Sequence, residues 1–486
     1  MKRIFALSLF VLFASSLFAH GDAKGHKIRV KLENYPAKEL ILGFYFGEKT
    51  YVKDTATVDA DGFFTFQADT LLPCGVYLLV LKPDNNFIQM LISGDNQEIT
   101  FTTDAKDSVE KMKVKGSDDN TTFYEYLRFL NKQRPEMDTL RAQFGRMRSN
   151  VKDSTRIVQT MTDIDKQVKK YQNELAVKKT GTMTAKIIKA SLEPEVPEFD
   201  GKTDDEKLMK RRNWYREHFF DNADIADPCL LRSPVLQPKV DQYVQKFAVQ
   251  HPDSINQAID FVISKVKNSP ESYKYLLINF LNFYAKSNIV GMDGVYVHIA
   301  NKYYCTGEAN WVTKEDREKI CDNARRLEPI LIGKIAPNIT VLDRNSKPTA
   351  LWDVDADYTV LFFWDPECSH CKKAAPLMVD FANQFKARGV KVFAVCTAVN
   401  TEKEPTKASD CWKSVEEKGF SDFLFLNTWD PYLRSHYKTI FDVKTTPQIF
   451  ILDRKHEILM KRIGSEQLSK VMEEVMKFQE EKKMRK

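Results

Sequence analysis

Leu361-Phe362-Phe363-Trp364-Asp365-Pro366-Glu367-Cys368-Ser369-His370-Cys371 decides the fold of the last third of this chain. An apolar strand, Tyr358 to Trp364, runs into a short turn, and a Cys-x-x-Cys pair then opens a helix pattern reaching about Ala387. A helix N-terminus carries about half a positive charge and free amide donors, which favours a thiolate over a thiol. Cys368, at the exposed end, reads as a nucleophile. Cys371, one turn inward, reads as the thiol that closes a disulfide onto it. The same spacing suits half of a zinc site. A structural site takes about four ligands, and the chain has no second Cys-x-x-Cys and no His-x-x-x-His. An inert structural disulfide is the other bland reading. No metal and no cofactor is expected.

Working outward, apolar strands recur at Ile339–Leu342, Val390–Cys396, Phe423–Leu426 and Gln448–Leu452. Helix patterns fall between them, around Ser409–Lys418 and from Glu466 onward. Glu457–Ile463 pairs with the strand before it as a hairpin. The pattern predicts an α/β domain over 331–486, with a complete inventory of elements and able to fold alone.

This region resembles thioredoxin-fold proteins of the bacterial envelope, the TlpA/ResA-like group. Phe363-Trp364, Cys368 with Cys371, Lys372-Lys373, Pro376 and Thr445-Thr446-Pro447 carry the resemblance. It implies that Thr446-Pro447 is a cis-proline loop, lying against the cysteines and pairing with the substrate backbone. It also makes Trp364 a substrate contact, and it fits an extra strand and helix around 390–419. Two positions depart from the pattern. Phe362 stands where thioredoxins carry a buried Asp, and Ala374 where ResA-like proteins carry a Glu. The usual proton acceptors for the resolving thiol are therefore missing. His370 matches the His before the second Cys in oxidases and isomerases, where it stabilises the thiolate and makes the disulfide more oxidising.

Upstream, residues 24–117 read as short strands punctuated by Asp61-Gly62, Pro83-Asp84-Asn85-Asn86 and Gly94-Asp95-Asn96. They predict an antiparallel sandwich or barrel. Residues 120–330 switch to a helical period, starting with Phe123, Tyr126, Leu127 and Leu130 behind a Thr122/Glu125 capping box. The fold class is thus multidomain: all-β, then all-α, then α/β. Cys305 and Cys321 are candidates for a structural pair. Cys74 reads as a buried or turn thiol, Cys229 as a lone thiol, Cys396 as a buried core thiol, and Cys411 as an exposed one.

Met1-Lys2-Arg3, the apolar run Ile4–Phe13 and the small residues up to Ala19 read as a signal peptide, residues 1–19. No Cys lies near its end for lipid attachment, and the run is shorter than the ~20 residues of a spanning helix. A periplasmic or other extracytoplasmic, oxidising location follows. The remainder is ordinary globular composition: of 486 residues, 43% are hydrophobic and 29% charged. The net charge of +6 is nearly balanced for this length and gives no argument for nucleic acid.

The expected function is thiol–disulfide exchange with protein substrates through Cys368, with a membrane redox partner supplying or taking electrons. An oxidase or isomerase stays open. So does a binding protein that uses the last domain as a scaffold. A thiol peroxidase is poorly served, because its Pro-x-x-x-Thr/Ser-x-x-Cys pattern meets Leu361 and Asp365 here. The N-terminal modules would position the domain, select substrates or form a homodimer.

Overall fold

Alternating burial sets the first strands: β1 (His26–Glu33) buries His26, Ile28 and Val30. The computed structural model describes residues 25–94, 96–146, 151–404 and 406–484, and the expected signal peptide lies outside the described residues. After β1 come β2 (Glu39–Phe46), β3 (Lys49–Thr57), β4 (Phe63–Ala68), β5 (Gly75–Leu81), β6 (Asn86–Ile92), β7 (Glu98–Asp104) and β8 (Lys113–Lys115). They form two four-stranded sheets, ordered β4-β1-β7-β8 and β3-β2-β5-β6. β1 and β7 pair in parallel, so the expected antiparallel region is mixed. Hairpin spacing could not reveal this, because four of the five intervening strands, β2, β3, β5 and β6, build the other sheet.

Six helices follow: α1 (Asp118–Arg146), α2 (Val151–Lys178), α3 (Met183–Ser191), α4 (Asp204–His218), α5 (Pro228–Leu231) and α6 (Leu236–Asp241). Asn120 of α1 bonds both the amide (2.8 Å) and the carbonyl (2.7 Å) of Leu91 in β6. The buried Asp119 carboxylate accepts from the Met183 and Thr184 amides that open α3. Cys74 and Cys229 are joined by a disulfide. This corrects the expectation of a turn thiol and a lone thiol. The two lie 155 residues apart, where no local spacing could pair them.

The chain divides after Val240 into two compact units. The second opens with α7 (Pro252–Val266), α8 (Pro270–Ala285), α9 (Asp293–Ile299) and α10 (Lys314–Leu327). Ile255, Ile259, Val262 and Val266 form the buried stripe of α7 at helical spacing. Cys305 and Cys321 are paired.

Then come β9 (Thr340–Leu342), β10 (Pro348–Ala350), β11 (Tyr358–Trp364), α11 (Ser369–Phe385), β12 (Val390–Cys396), α12 (Asp410–Glu417), β13 (Phe425–Trp429), α13 (Tyr437–Ile440), β14 (Gln448–Asp453), β15 (Ile458–Lys461) and α14 (Leu468–Met484). They make a seven-stranded sheet, ordered β10-β9-β13-β12-β11-β14-β15. β11 runs parallel to β12 and antiparallel to β14, and β14 and β15 form the expected hairpin.

β11 is buried on both faces, which explains its unbroken apolar run. Val360, Phe362 and Trp364 share one core with Met378, Phe381 and Phe385 of α11 and Met472 and Met476 of α14. Phe363 points the other way, onto Tyr437 and Phe450. Each such side chain contributes about 1.5–3 kcal/mol of burial, so this interior strand is firmly held. A third disulfide joins Cys396 at the end of β12 to Cys411 in α12. Neither is the free thiol expected, and Cys411 is buried, because it lies on the apolar face that α12 turns to the sheet.

Candidate active site

Trp364 ends β11, and Asp365-Pro366-Glu367 carries the chain to α11. The turn is closed by the Glu367 amide donating to Asp365 Oδ1 at 2.9 Å. Cys368 stands as the N-cap of α11 with extended backbone angles, and its carbonyl accepts the first helical bond from the Lys372 amide. Its sulfur is thus presented at the helix N-terminus. Cys371, one turn on, is only 1% exposed. The Asp365 amide donates to its sulfur at 3.4 Å.

The loop before β14 comes to the same place. The Thr446–Pro447 peptide is cis, and the Cys368 thiol donates to the Thr446 carbonyl at 3.2 Å. The fold therefore brings Cys368, Cys371, Thr446 and Pro447 together from segments far apart in the chain. Among the eight cysteines, Cys368 and Cys371 alone are free.

The two thiols are electrostatically unlike. Partial burial opposes charge on Cys368, but hydrogen bonds outweigh it and lower its pKa: from the Cys371 amide, from Thr446, from the Cys371 thiol and from the His370 amide. Burial pushes Cys371 up to about 12; bonds from the Asp365 amide and Thr446 oppose this, while the neighbouring Cys368 adds to it. One sulfur is prepared to attack and the other to wait.

Two expected site residues sit differently from the sequence reading. The His370 imidazole is exposed, and the contact His370 makes to Cys368 is through its backbone amide. Trp364 is 1% exposed, with Phe420 edge-on at 5.2 Å. It floors the site and has no surface to offer a substrate, which corrects the expectation that it is a substrate contact. Its inward direction follows from its register on the same face as Phe362.

Phe362 and Ala374, at the two usual acid positions, are both fully buried, Phe362 in the same apolar core as Trp364. Glu367 is exposed and paired with Lys407 at 3.2 Å. Sequence reasoning missed Lys418, whose ammonium lies 5.7 Å from the centre of the Trp364 ring. No motif spacing marks it, since it enters from the far end of α12. Cys74, Asp227 and Cys229 gather atoms of metal-ligating type. Both sulfurs are consumed in a disulfide, so the group does not suit a metal.

Comparison with known proteins bears on this site directly. Residues 332–460 match the AhpC/TSA family. A stretch of 68 residues is 35% identical to the thiol-disulfide oxidoreductase ResA of Bacillus thuringiensis, covering 14% of this chain and 39% of that protein. The C-terminal domain is TlpA/ResA-like. The chain spans about two fifths of the length of the curated relatives it matches (39%). Among solved structures, a domain of a possible thiol-disulfide isomerase from Cytophaga hutchinsonii is 31% identical, with TM-score 0.28, over 31% of this chain and 96% of that one. A thioredoxin-like protein from Bacteroides caccae is 17% identical, with TM-score 0.43, over 59% of this chain and 97% of that one. Upstream of the TlpA/ResA-like domain, residues 26–123 and 158–328 match two domains of unknown function, DUF4369 and DUF5106.

Proposed function

We propose that this protein is an exported thiol–disulfide oxidoreductase acting on protein disulfides. The observation that carries the reading is the unlike pair of thiols at one helix N-terminus, facing the Thr446–Pro447 loop. Cys368, as thiolate, attacks one sulfur of a substrate disulfide. A Cys368–substrate S–S bond forms, and the other substrate sulfur leaves as thiolate and takes a proton from solvent. Cys371 then gives its proton to water and attacks Cys368 Sγ. The Cys368–Cys371 bond forms, the bond to substrate breaks, its sulfur leaves as a thiolate and takes a proton from solvent, and two electrons have passed from the dithiol to the substrate. The Thr446 carbonyl, beside Cys368, would accept from the substrate backbone, with Pro447 against the bound strand.

Turnover requires a second redox partner to restore the dithiol, and a membrane electron carrier fits an exported protein. Three disulfides elsewhere in the chain support an oxidising compartment. No helix among the described residues is long and apolar enough to cross a membrane. The test is insulin reduction by the purified protein. Activity is expected for the parent, a trapped covalent substrate complex for Cys371→Ala, and neither for Cys368→Ser. Parent-level activity in Cys368→Ser would refute the assignment.

A further inference from the structure

The closing attack on the mixed disulfide needs a Cys371 thiolate, yet its sulfur lies in the apolar core that holds Trp364, accepting from the amide directly after that residue at 3.4 Å, with Phe362 and Ala374 where carboxylates are usual. Phe420 packs edge-on against both Trp364 and Phe362. Lys418 precedes this aromatic by two residues, at the C-terminal end of α12. The helix is held at both ends: Cys411, near its start, ties α12 to β12, and at its close the Lys418 and Phe420 amides donate to the Ser414 and Val415 carbonyls. The half-buried ammonium is thereby held over the Trp364 ring, a placement that desolvates it and leaves it a ring face as partner.

We propose that Lys418 replaces the missing carboxylate: its positive charge, held across Trp364, steadies the buried Cys371 sulfur as it becomes a thiolate, and so speeds resolution of the mixed disulfide. The proposal rests on the oxidoreductase reading above. In this step the Cys371 thiol gives its proton to water. The thiolate then attacks Cys368 Sγ, forming the intramolecular S–S bond and breaking the bond to substrate, whose sulfur takes a proton from solvent. Lys418 remains charged throughout and is a positioning residue.

The electrostatics agree. Burial lowers the Lys418 pKa; Glu417 opposes this, Lys372 adds to it, and the Cys371 charge opposes it last. The two carboxylates nearest Cys371 are engaged elsewhere, and the remaining charged or titratable neighbours face solvent. Asp365 accepts from the Glu367 amide and, at 3.5 Å, from the Thr397 hydroxyl. Glu367 pairs with Lys407. Lys372 lies on α11 and His370 is exposed, while Cys368 is capped by substrate at this stage.

The reduced full-length protein is mixed with dithiobis(nitrobenzoate), whose released thiolate is coloured. The first release reports attack by Cys368, and the second reports resolution by Cys371. In Lys418→Met the second phase is expected to slow on the order of tenfold at neutral pH, one pKa unit being a tenfold change in thiolate fraction. Its rise with pH should shift upward by a similar interval, with the first phase unchanged. Lys418→Arg, which keeps the charge, should restore the parent profile. A parent-like second phase in Lys418→Met, or an Arg variant as slow as Met, overturns the proposal. A parent protein that shows no second phase at all instead refutes the oxidoreductase reading.

Discussion

Alkylating the reduced protein at neutral pH should mark Cys368 and spare Cys371. Iodoacetamide reacts with thiolates, so selectivity begins with ionisation. Cys371 is held up to about 12 by its burial, which leaves roughly one molecule in 10⁵ ionised at pH 7. Cys368 is lowered from an ordinary value of 9.0 against its partial burial, by the Cys371 and His370 amides, Thr446 and the Cys371 thiol. At pH 7 at least about one molecule in 10² is then a thiolate. The ratio exceeds about 10³ before access is counted, and access favours Cys368 further. The sign with pH follows. Labelling of Cys368 should rise tenfold per pH unit and level off below 9.0. Labelling of Cys371 should keep rising well beyond that point. The assay is peptide mass spectrometry on timed, acid-quenched samples across a pH series. Comparable labelling rates for the two cysteines, or a Cys368 profile that levels off above 9.0, would refute the electrostatic assignment.

Two further outcomes follow from the same geometry. His370 reaches Cys368 through its amide, so His370→Ala should leave the Cys368 labelling profile within about half a unit of the parent, whereas His370→Pro, which removes the N–H at a tolerated first-turn position, should move it upward. Lys461 is 1% exposed, and its ammonium bonds Asp293 and, at 2.7 Å, the Ile330 carbonyl. Asp293→Ala in the full chain strands that charge in place, so it should lose about 3–5 kcal/mol against denaturant, and adding Lys461→Met should recover much of it. An Asp293→Ala protein whose urea midpoint does not respond to Lys461→Met would show that the buried ion pair is not what holds this corner together.

What the sequence made legible is what depends on neighbours in the chain. The strand Tyr358–Trp364 and the strand Val390–Cys396 are found at those residues, because a continuous apolar run bounded by turns admits little else. Cys368 and Cys371 were identifiable because one helical turn is a local distance. Thr446 and Pro447 were placed by resemblance alone, since nothing local says that a loop before β14 meets a helix behind β11. Two errors share a cause: Cys74 with Cys229 and the parallel β1–β7 pair join segments that only the folded chain brings together. Cys396 and Cys411, 15 residues apart against 16 for Cys305 and Cys321, were missed because the charged sequence around Cys411 suggested an exposed thiol. Trp364 failed for a different reason: its position beside the motif suggested a surface, while strand parity turned it into the core with Phe362.

The two apolar replacements at the acid positions were equally plain in the sequence, but their consequence was not. A buried thiol that must ionise needs either a base to take its proton or a charge to hold the product. Phe362 and Ala374 remove the first solution from the two places where it is usual. The second needs a cation delivered through the tertiary fold, past an aromatic that can face it without competing for its charge. α12, pinned by the Cys396–Cys411 bond, delivers Lys418 to that face of Trp364. On this account the disulfide and the indole are parts of the same device as the thiol. Removing the bond in a Cys396→Ala, Cys411→Ala variant should slow the second, resolving phase while leaving the first attack by Cys368 intact.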